Sequence, residues 1–246
     1  MKIKDIITNL FKIKFLFLSS FIVLTLNIYA QKSYIDVNNK TLEQAIDLFE
    51  KEKYNIALQL LEQLENNKEI SRTEKITAAY FSFLCSKELF HNNTQLKGKN
   101  FIFLYPESPY VNNVLYNLGN IEYLNKNYKN AISWFTRVNK NNLSEDEQEE
   151  YYFKTGYSYL MIDSLDKARK FFYEIKDIDT RYTSAAIYFY SHIAYLQKNY
   201  ETAIEGFKRI SDEEEYTQII PYYITQCLYY QQKYEEIISY SPTYLD

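Results

Sequence analysis

The 246-residue chain has only 4 Gly, 4 Pro, 2 Cys, 2 His and 1 Trp. So few Gly and Pro leave little turn chemistry for a many-stranded β fold, and no Gly-rich loop is present to cradle a phosphate. The histidines, His91 and His192, lie about a hundred residues apart, and no H-x-x-x-H or C-x-x-C pair occurs. A zinc site needs three or four converging ligands, so none is expected. No G-x-S-x-G elbow occurs either. The sequence therefore offers no catalytic residue, no metal site and no cofactor site, and the expectation is a protein that is not an enzyme. Glu145-Asp146-Glu147 and Asp212-Glu213-Glu214-Glu215 are read as solvated helix starts, where carboxylates complement the helix dipole.

Basic balance is also missing. The chain carries 28 Lys and Arg against 32 Asp and Glu, a formal net charge of -4. Residues 1–30 read as a secretory signal peptide. Lys2, Lys4, Lys12 and Lys14 form its basic start, Phe15 to Leu26 its apolar stretch, and Ile28-Tyr29-Ala30 before Gln31 its cleavage site. The apolar stretch is shorter than the ~20 residues that span a bilayer, so no membrane span is expected after cleavage. Four lysines and one aspartate leave with the leader, which takes the remainder, 31–246, from -4 to -7. An acidic exported domain argues against nucleic acid and against anionic lipid.

Aromatic residues are abundant, with 27 Tyr and 16 Phe, and they fall in a repeat. YNLGNIEYLNKNYKNAISWF (116–135) aligns with FKTGYSYLMIDSLDKARKFF (153–172), YSHIAYLQKNYETAIEGF (190–207) and ITQCLYYQQKYEEIISYS (224–241). AIDLFEKEKYNIALQLL (45–61) is a further copy. The anchors Tyr54, Tyr128, Leu165, Tyr200 and Tyr234 are spaced 74, 37, 35 and 34 residues apart, so a degenerate copy is expected between about Lys75 and Tyr110.

Each copy is counted so that its small residue is position 8: Ala45, Gly119, Gly156, Ser191 and Thr225. Position 20 is Ala57, Ala131, Ala168, Ala203 and Ile237, and position 24 is Leu61, Phe135, Phe172, Phe207 and Ser241. Small residues at 8 and 20 let two helices approach closely; the large residue at 24 fills the gap towards the next repeat. This pattern resembles the tetratricopeptide repeat (TPR), a pair of antiparallel helices with a period near 34 residues. The resemblance implies an all-α, right-handed TPR superhelix of about six helix-turn-helix repeats, near 38–71, 75–110, 112–147, 149–182, 184–216 and 218–246. First helices are expected to centre near 45, 82, 119, 156, 191 and 225. Two departures stand out. Glu122 occupies position 11, where an apolar residue is usual, and the second copy lacks clear small residues at 8 and 20. The joint YPESPYV (105–111) is similar to joints in bacterial periplasmic TPR proteins of outer-membrane assembly and of the Tol-Pal system. That similarity implies an exported protein, periplasmic or outer-membrane-associated.

In a TPR array the first helices line the concave side, and positions 5, 9 and 12 share one helical face. Here that face carries Tyr116, Asn120 and Tyr123; Phe153, Tyr157 and Leu160; Tyr188, His192 and Tyr195; then Tyr222, Gln226 and Tyr229. Two roles are open to these residues: lining a groove for an extended peptide or helix of a protein partner, or packing on neighbouring turns. No Lys occupies position 5, so a clamp for a terminal carboxylate is not expected. The leading function is a scaffold for envelope-associated protein partners. A regulatory or positioning subunit of an envelope enzyme and a carbohydrate-binding module are the alternatives. Cys85 and Cys227, four repeats apart, are expected to be unpaired, because solenoid repeats touch only their neighbours. The last copy has Ile237 at position 20 and Pro242 soon after. Its apolar end implies either a longer repeat chain or docking on a partner or a second copy.

Overall fold

The computed structural model describes residues 40–240. The leader and cleavage site lie outside them, as do Ser241 and Pro242. Twelve α-helices and no strand occur among the described residues. Residues 40–50 form α1. Then come α2 (Tyr54–Asn66), α3 (Arg72–Glu88), α4 (Thr94–Leu104), α5 (Val111–Leu124), α6 (Tyr128–Phe135), α7 (Glu145–Met161), α8 (Leu165–Tyr173), α9 (Thr183–Leu196), α10 (Tyr200–Lys208), α11 (Ile220–Tyr230) and α12 (Tyr234–Tyr240). Each expected first-helix centre falls inside its helix. Contacts divide the chain into two units, with the boundary in sequence between Ser108 and Pro109; the first holds α1–α4 and the second α5–α12.

One turn joins the helices of every pair. The N–H at position 16 bonds the carbonyl at position 11: Lys53 to Leu48, Asn127 to Glu122, Ser164 to Tyr159, Asn199 to Ala194 and Lys233 to Leu228, at 2.8–3.0 Å. Position 15 takes a left-handed backbone in each, at Glu52, Lys126, Asp163, Lys198 and Gln232, with φ of 59–62°. Glycine usually fills that place in such a helix-terminating turn. None of the four glycines does so here, at a cost of about 1 kcal/mol per turn.

The same turn fixes the register of the obscure second copy. His91 N–H bonds the Ser86 carbonyl, and Phe90 has φ 54°. Phe83 therefore takes position 8, where the other copies carry a small residue, and it is fully buried. Its buried small residues stand in other places, at Ser82, Ser86, Thr94 and Gly98. The Thr94 hydroxyl donates to the Ser86 carbonyl at 2.8 Å, and α4 begins two residues later in the repeat than the other second helices.

Elsewhere the pattern packs as its residue sizes dictate. Ala45, Ala57, Ala131, Ala168 and Ala203 are fully buried, as are Leu61, Phe135, Phe172 and Phe207 at position 24. Each such ring contributes roughly 1.5–3 kcal/mol by leaving water. A Cβ built on Gly119 would lie 2.5 Å from the Phe135 ring. Two first helices start a turn early, each with a capping box: Ser71 with Glu74 before α3, and Ser144 with Glu147 before α7. Glu145, Asp146 and Glu147 thus sit in the first turn of α7, as the dipole argument requires. The second acidic run differs from expectation. Asp212–Glu215 lies in turns ahead of α11, which starts only at Ile220, so these residues begin no helix.

Candidate aromatic face of the first helices

The second unit carries the expected lining on α5, α7, α9 and α11. What the period does not reveal is position 6. Its side chain reaches back across positions 5, 9 and 12 of the preceding copy. Lys154 of α7 donates to Asn120 at 3.2 Å and stands over the Tyr123 ring at 5.4 Å. Phe189 of α9 packs on Phe153 and Tyr157, with ring centroids 6.1 and 5.4 Å away. Tyr223 of α11 packs on His192 and Tyr195 at 5.3 Å and on Tyr188 at 6.4 Å. In the first unit Phe81 of α3 does the same to Phe49, at 5.2 Å. The signal was present in the sequence as the series Phe81, Lys154, Phe189, Tyr223, but position 6 is not part of the small-and-large pattern that reveals the repeat.

This wedge sorts the expected lining residues. Tyr116 is core, not lining: it is only 3% exposed. Its hydroxyl donates to Glu150 at 2.6 Å, and burial together with that bond pushes its pKa up. Glu150 also pairs with Lys154. Burial would raise the Glu150 pKa, but the hydrogen bonds from Lys154 and Tyr116 and the Lys154 and Arg181 charges bring it below the ordinary carboxylate value. Asn120, Tyr123, Phe153, Tyr157, Tyr188, His192 and Tyr195 remain half-buried. Phe153 lies flat on Tyr182 with centroids 4.8 Å apart; Tyr188 stacks on Tyr216 at 5.4 Å and on His192 at 5.9 Å. Burial pushes the Tyr123 phenol up to about 12, so it stays a neutral donor. Burial also lowers the His192 pKa, which favours its uncharged form. Tyr222 and Tyr229 are exposed, and Gln226 is half-buried.

Glu122, out of pattern at position 11, is buried and accepts a hydrogen bond from the Asn127 side chain at 2.9 Å. It braces the turn whose backbone bond joins the same two residues. Among the described residues no group of three His, Cys, Asp or Glu is placed to hold a metal, and no helix is long and apolar enough to cross a membrane. Cys85 and Cys227 are both buried free thiols.

No protein-family model matches the sequence, and a search of curated proteins gives no match. Solved structures do match. MamA (AMB-1) superposes with a TM-score of 0.59 at 14% identity, over 72% of this chain and 92% of its own. A tetratricopeptide repeat protein from Parabacteroides merdae superposes with a TM-score of 0.56 at 11% identity, over 82% of this chain and 77% of its own. This is a tetratricopeptide-repeat fold. The pilF protein of Pseudomonas aeruginosa shares it, with a TM-score of 0.50 at 12% identity over 84% of this chain and 89% of its own. At such identities the likeness concerns the TPR architecture alone, not what the array holds.

Proposed function

We propose that this TPR chain is an exported scaffold, not an enzyme, that holds a segment of a protein partner on the first-helix face of its third to fifth copies. The observation that carries the reading is the state of that face. Tyr123, Tyr157, His192 and Tyr195 are half-buried, each packed against a neighbouring ring at 5.3–6.3 Å. Rings fixed in place lose little side-chain freedom on binding and present apolar surface with a polar edge, as interface anchors do. The one lysine on the face, Lys154, is already engaged by Glu150 and Asn120. An extended or helical segment with apolar side chains and free hydrogen-bonding groups fits better than an anionic ligand. A sugar would need open ring faces, and Phe153 and Tyr188 have theirs stacked on Tyr182 and Tyr216. That favours a protein partner over a glycan. Export and an envelope location rest on the leader-like residues 1–30 and the acidic remainder.

The test is photo-crosslinking in cells from a reactive residue placed at Tyr157, with Asn130 on the exposed side of α6 as control. Expected is one adduct from position 157, absent from 130 and rebuilt from the two purified proteins. Equal adducts from both positions contradict the reading. Export is checked separately: chain recovered from the envelope should start at Gln31.

A further inference from the structure

His192 is the one residue on two adjacent first helices that changes charge near neutral pH. α9 and α11 carry no Asp, Glu, Lys or Arg. The imidazole lies among rings from both. It stacks on Tyr188 at 5.9 Å, with the planes 6° apart, and on Tyr195 at 6.3 Å, and it meets the Tyr223 ring edge-on at 5.3 Å. Burial pushes up the phenols of Tyr188, Tyr195 and Tyr216, and the Cys227 thiol of α11 to about 11, so none of these titrates with the imidazole.

The charged groups of the surrounding elements are engaged or exposed. Lys154 of α7 pairs with Glu150. Arg169 of α8 and Lys176 lie over Tyr190, which is two residues, and so about 200°, around the helix from His192. Asp166, Lys167 and Lys170 of α8 are exposed, as are Glu201, Glu205 and Lys208 of α10 and the run Asp212-Glu213-Glu214-Glu215 ahead of α11. None of these charges bears on the ring, whose pKa is lowered by burial alone.

We propose that His192 makes the partner face pH-dependent: the array holds its partner segment while the imidazole is neutral and releases it as the ring takes up a proton. The inference deepens the reading of that face as a partner site and rests on it. A protonated ring needs water or a counter-charge. His192 is half-buried and so still reaches water, and among the described residues no carboxylate bonds it. A segment whose apolar side chains cover Tyr157, His192 and Tyr195 removes that water. Binding therefore favours the neutral ring, and by linkage protonation favours the free protein. Affinity is then full above the pKa of the free protein and falls with pH below it. Position 9 singles out this copy. Asn120, Tyr157 and Gln226 fill it in the third, fourth and sixth copies, and none of them takes up a proton near neutral pH.

The probe is the partner protein that the crosslink from position 157 recovers, purified and titrated by calorimetry into the full chain at pH 7.5, 6.5 and 5. Circular dichroism is read at each pH. Expected is an affinity that falls about three- to tenfold from pH 7.5 to 5, and never faster than about tenfold per pH unit, because one proton is exchanged. His192→Gln, which places there the residue type of the sixth copy, should hold a single affinity across the range, whatever its value. His91→Gln, at an exposed site of the first unit, should follow wild type. Three results overturn the inference and leave the partner face standing. These are a wild-type affinity that is flat or rises in acid, an equal fall in His192→Gln, and a fall that appears only as helicity is lost. No adduct from position 157, or no binding at pH 7.5, sinks the partner face and this inference with it.

Discussion

The Tyr116 hydroxyl donates to the Glu150 carboxylate at 2.6 Å, from one repeat to the next across 34 residues of sequence. Lys154 holds the other side of the same carboxylate. Two further polar bonds of equal spacing flank it, Asn113 to Glu147 and Lys154 to Asn120. The contact between the third and fourth repeats thus adds polar bonds on this face to its ring pairs, such as Tyr123 with Tyr157, whereas in the next two contacts the residue at position 6 is itself a ring, Phe189 and Tyr223.

Tyr116→Phe removes the donor and leaves Glu150 with Lys154. Hydrogen bonds to charged groups contribute about 1.5–3 kcal/mol, and partial solvent access to Glu150 reduces that, so a loss of about 1 kcal/mol is expected at neutral pH. Glu150 has a lowered folded pKa. Its contribution is therefore present above the ordinary glutamate value and disappears as pH falls through the folded one. Denaturant unfolding at pH 7 and near pH 3 checks both parts: the gap between wild type and Tyr116→Phe should narrow in acid. An equal gap at both would show that the carboxylate is not the acceptor that matters.

Acid should act earlier at His192. Its ring is packed among Tyr188, Tyr195 and Tyr223, and burial lowers its pKa from 6.5. Stability from the neutral ring is full above that value and is lost as pH falls through the folded pKa. Thermal midpoints from pH 7.5 to 5 should fall more steeply for wild type than for His192→Gln. Parallel curves would mean that the imidazole is as free to protonate folded as unfolded.

The glycines rank themselves. In Gly119→Ala the new carbon meets the Phe135 ring at 2.5 Å; in Gly156→Ala it meets Phe171 and Phe172 at 3.1–3.3 Å. Replacing a mid-helix glycine by alanine gains about 1 kcal/mol of helix propensity. That gain should offset the mild crowding at 156 but not the clash at 119. Ala131→Leu and Ala168→Leu, at fully buried positions, should each cost about 1–3 kcal/mol by overpacking. Thermal melts give the order, and a Gly119→Ala protein as stable as wild type would contradict it.

Much of this fold was legible because the repeat is written in residue size. Ala57, Ala131, Ala168 and Ala203 and the rings at position 24 reveal helix pairs and their spacing without any tertiary information. The second copy was hidden because Phe83 stands at position 8, Asn92 and Asn93 lengthen its turn, and its small residues are serine, threonine and glycine in other places. The candidate face was half legible. A helical period shows which side Tyr116 is on; it does not show that Glu150 of the next repeat closes over it.

Cys85 and Cys227 are fully buried, and burial pushes both thiols up to about 11. Little thiolate is present at neutral pH, so labelling waits on opening of the structure. A thiol reagent on unreduced protein should count two thiols after denaturation and label them far more slowly before it. Fewer than two would show that the cysteines are paired or modified.

The central claim is that the half-buried rings of the first-helix face bind a partner rather than only support the array. The direct measurement is the affinity of the crosslinked partner segment for wild type and for Tyr157→Ala with Tyr195→Ala, read by titration calorimetry beside circular dichroism on the same samples. Affinity is expected to fall at least about tenfold, in line with the loss of interface anchors, while the helical spectrum is kept. Unchanged affinity in a folded variant, or helicity lost before affinity, would contradict it.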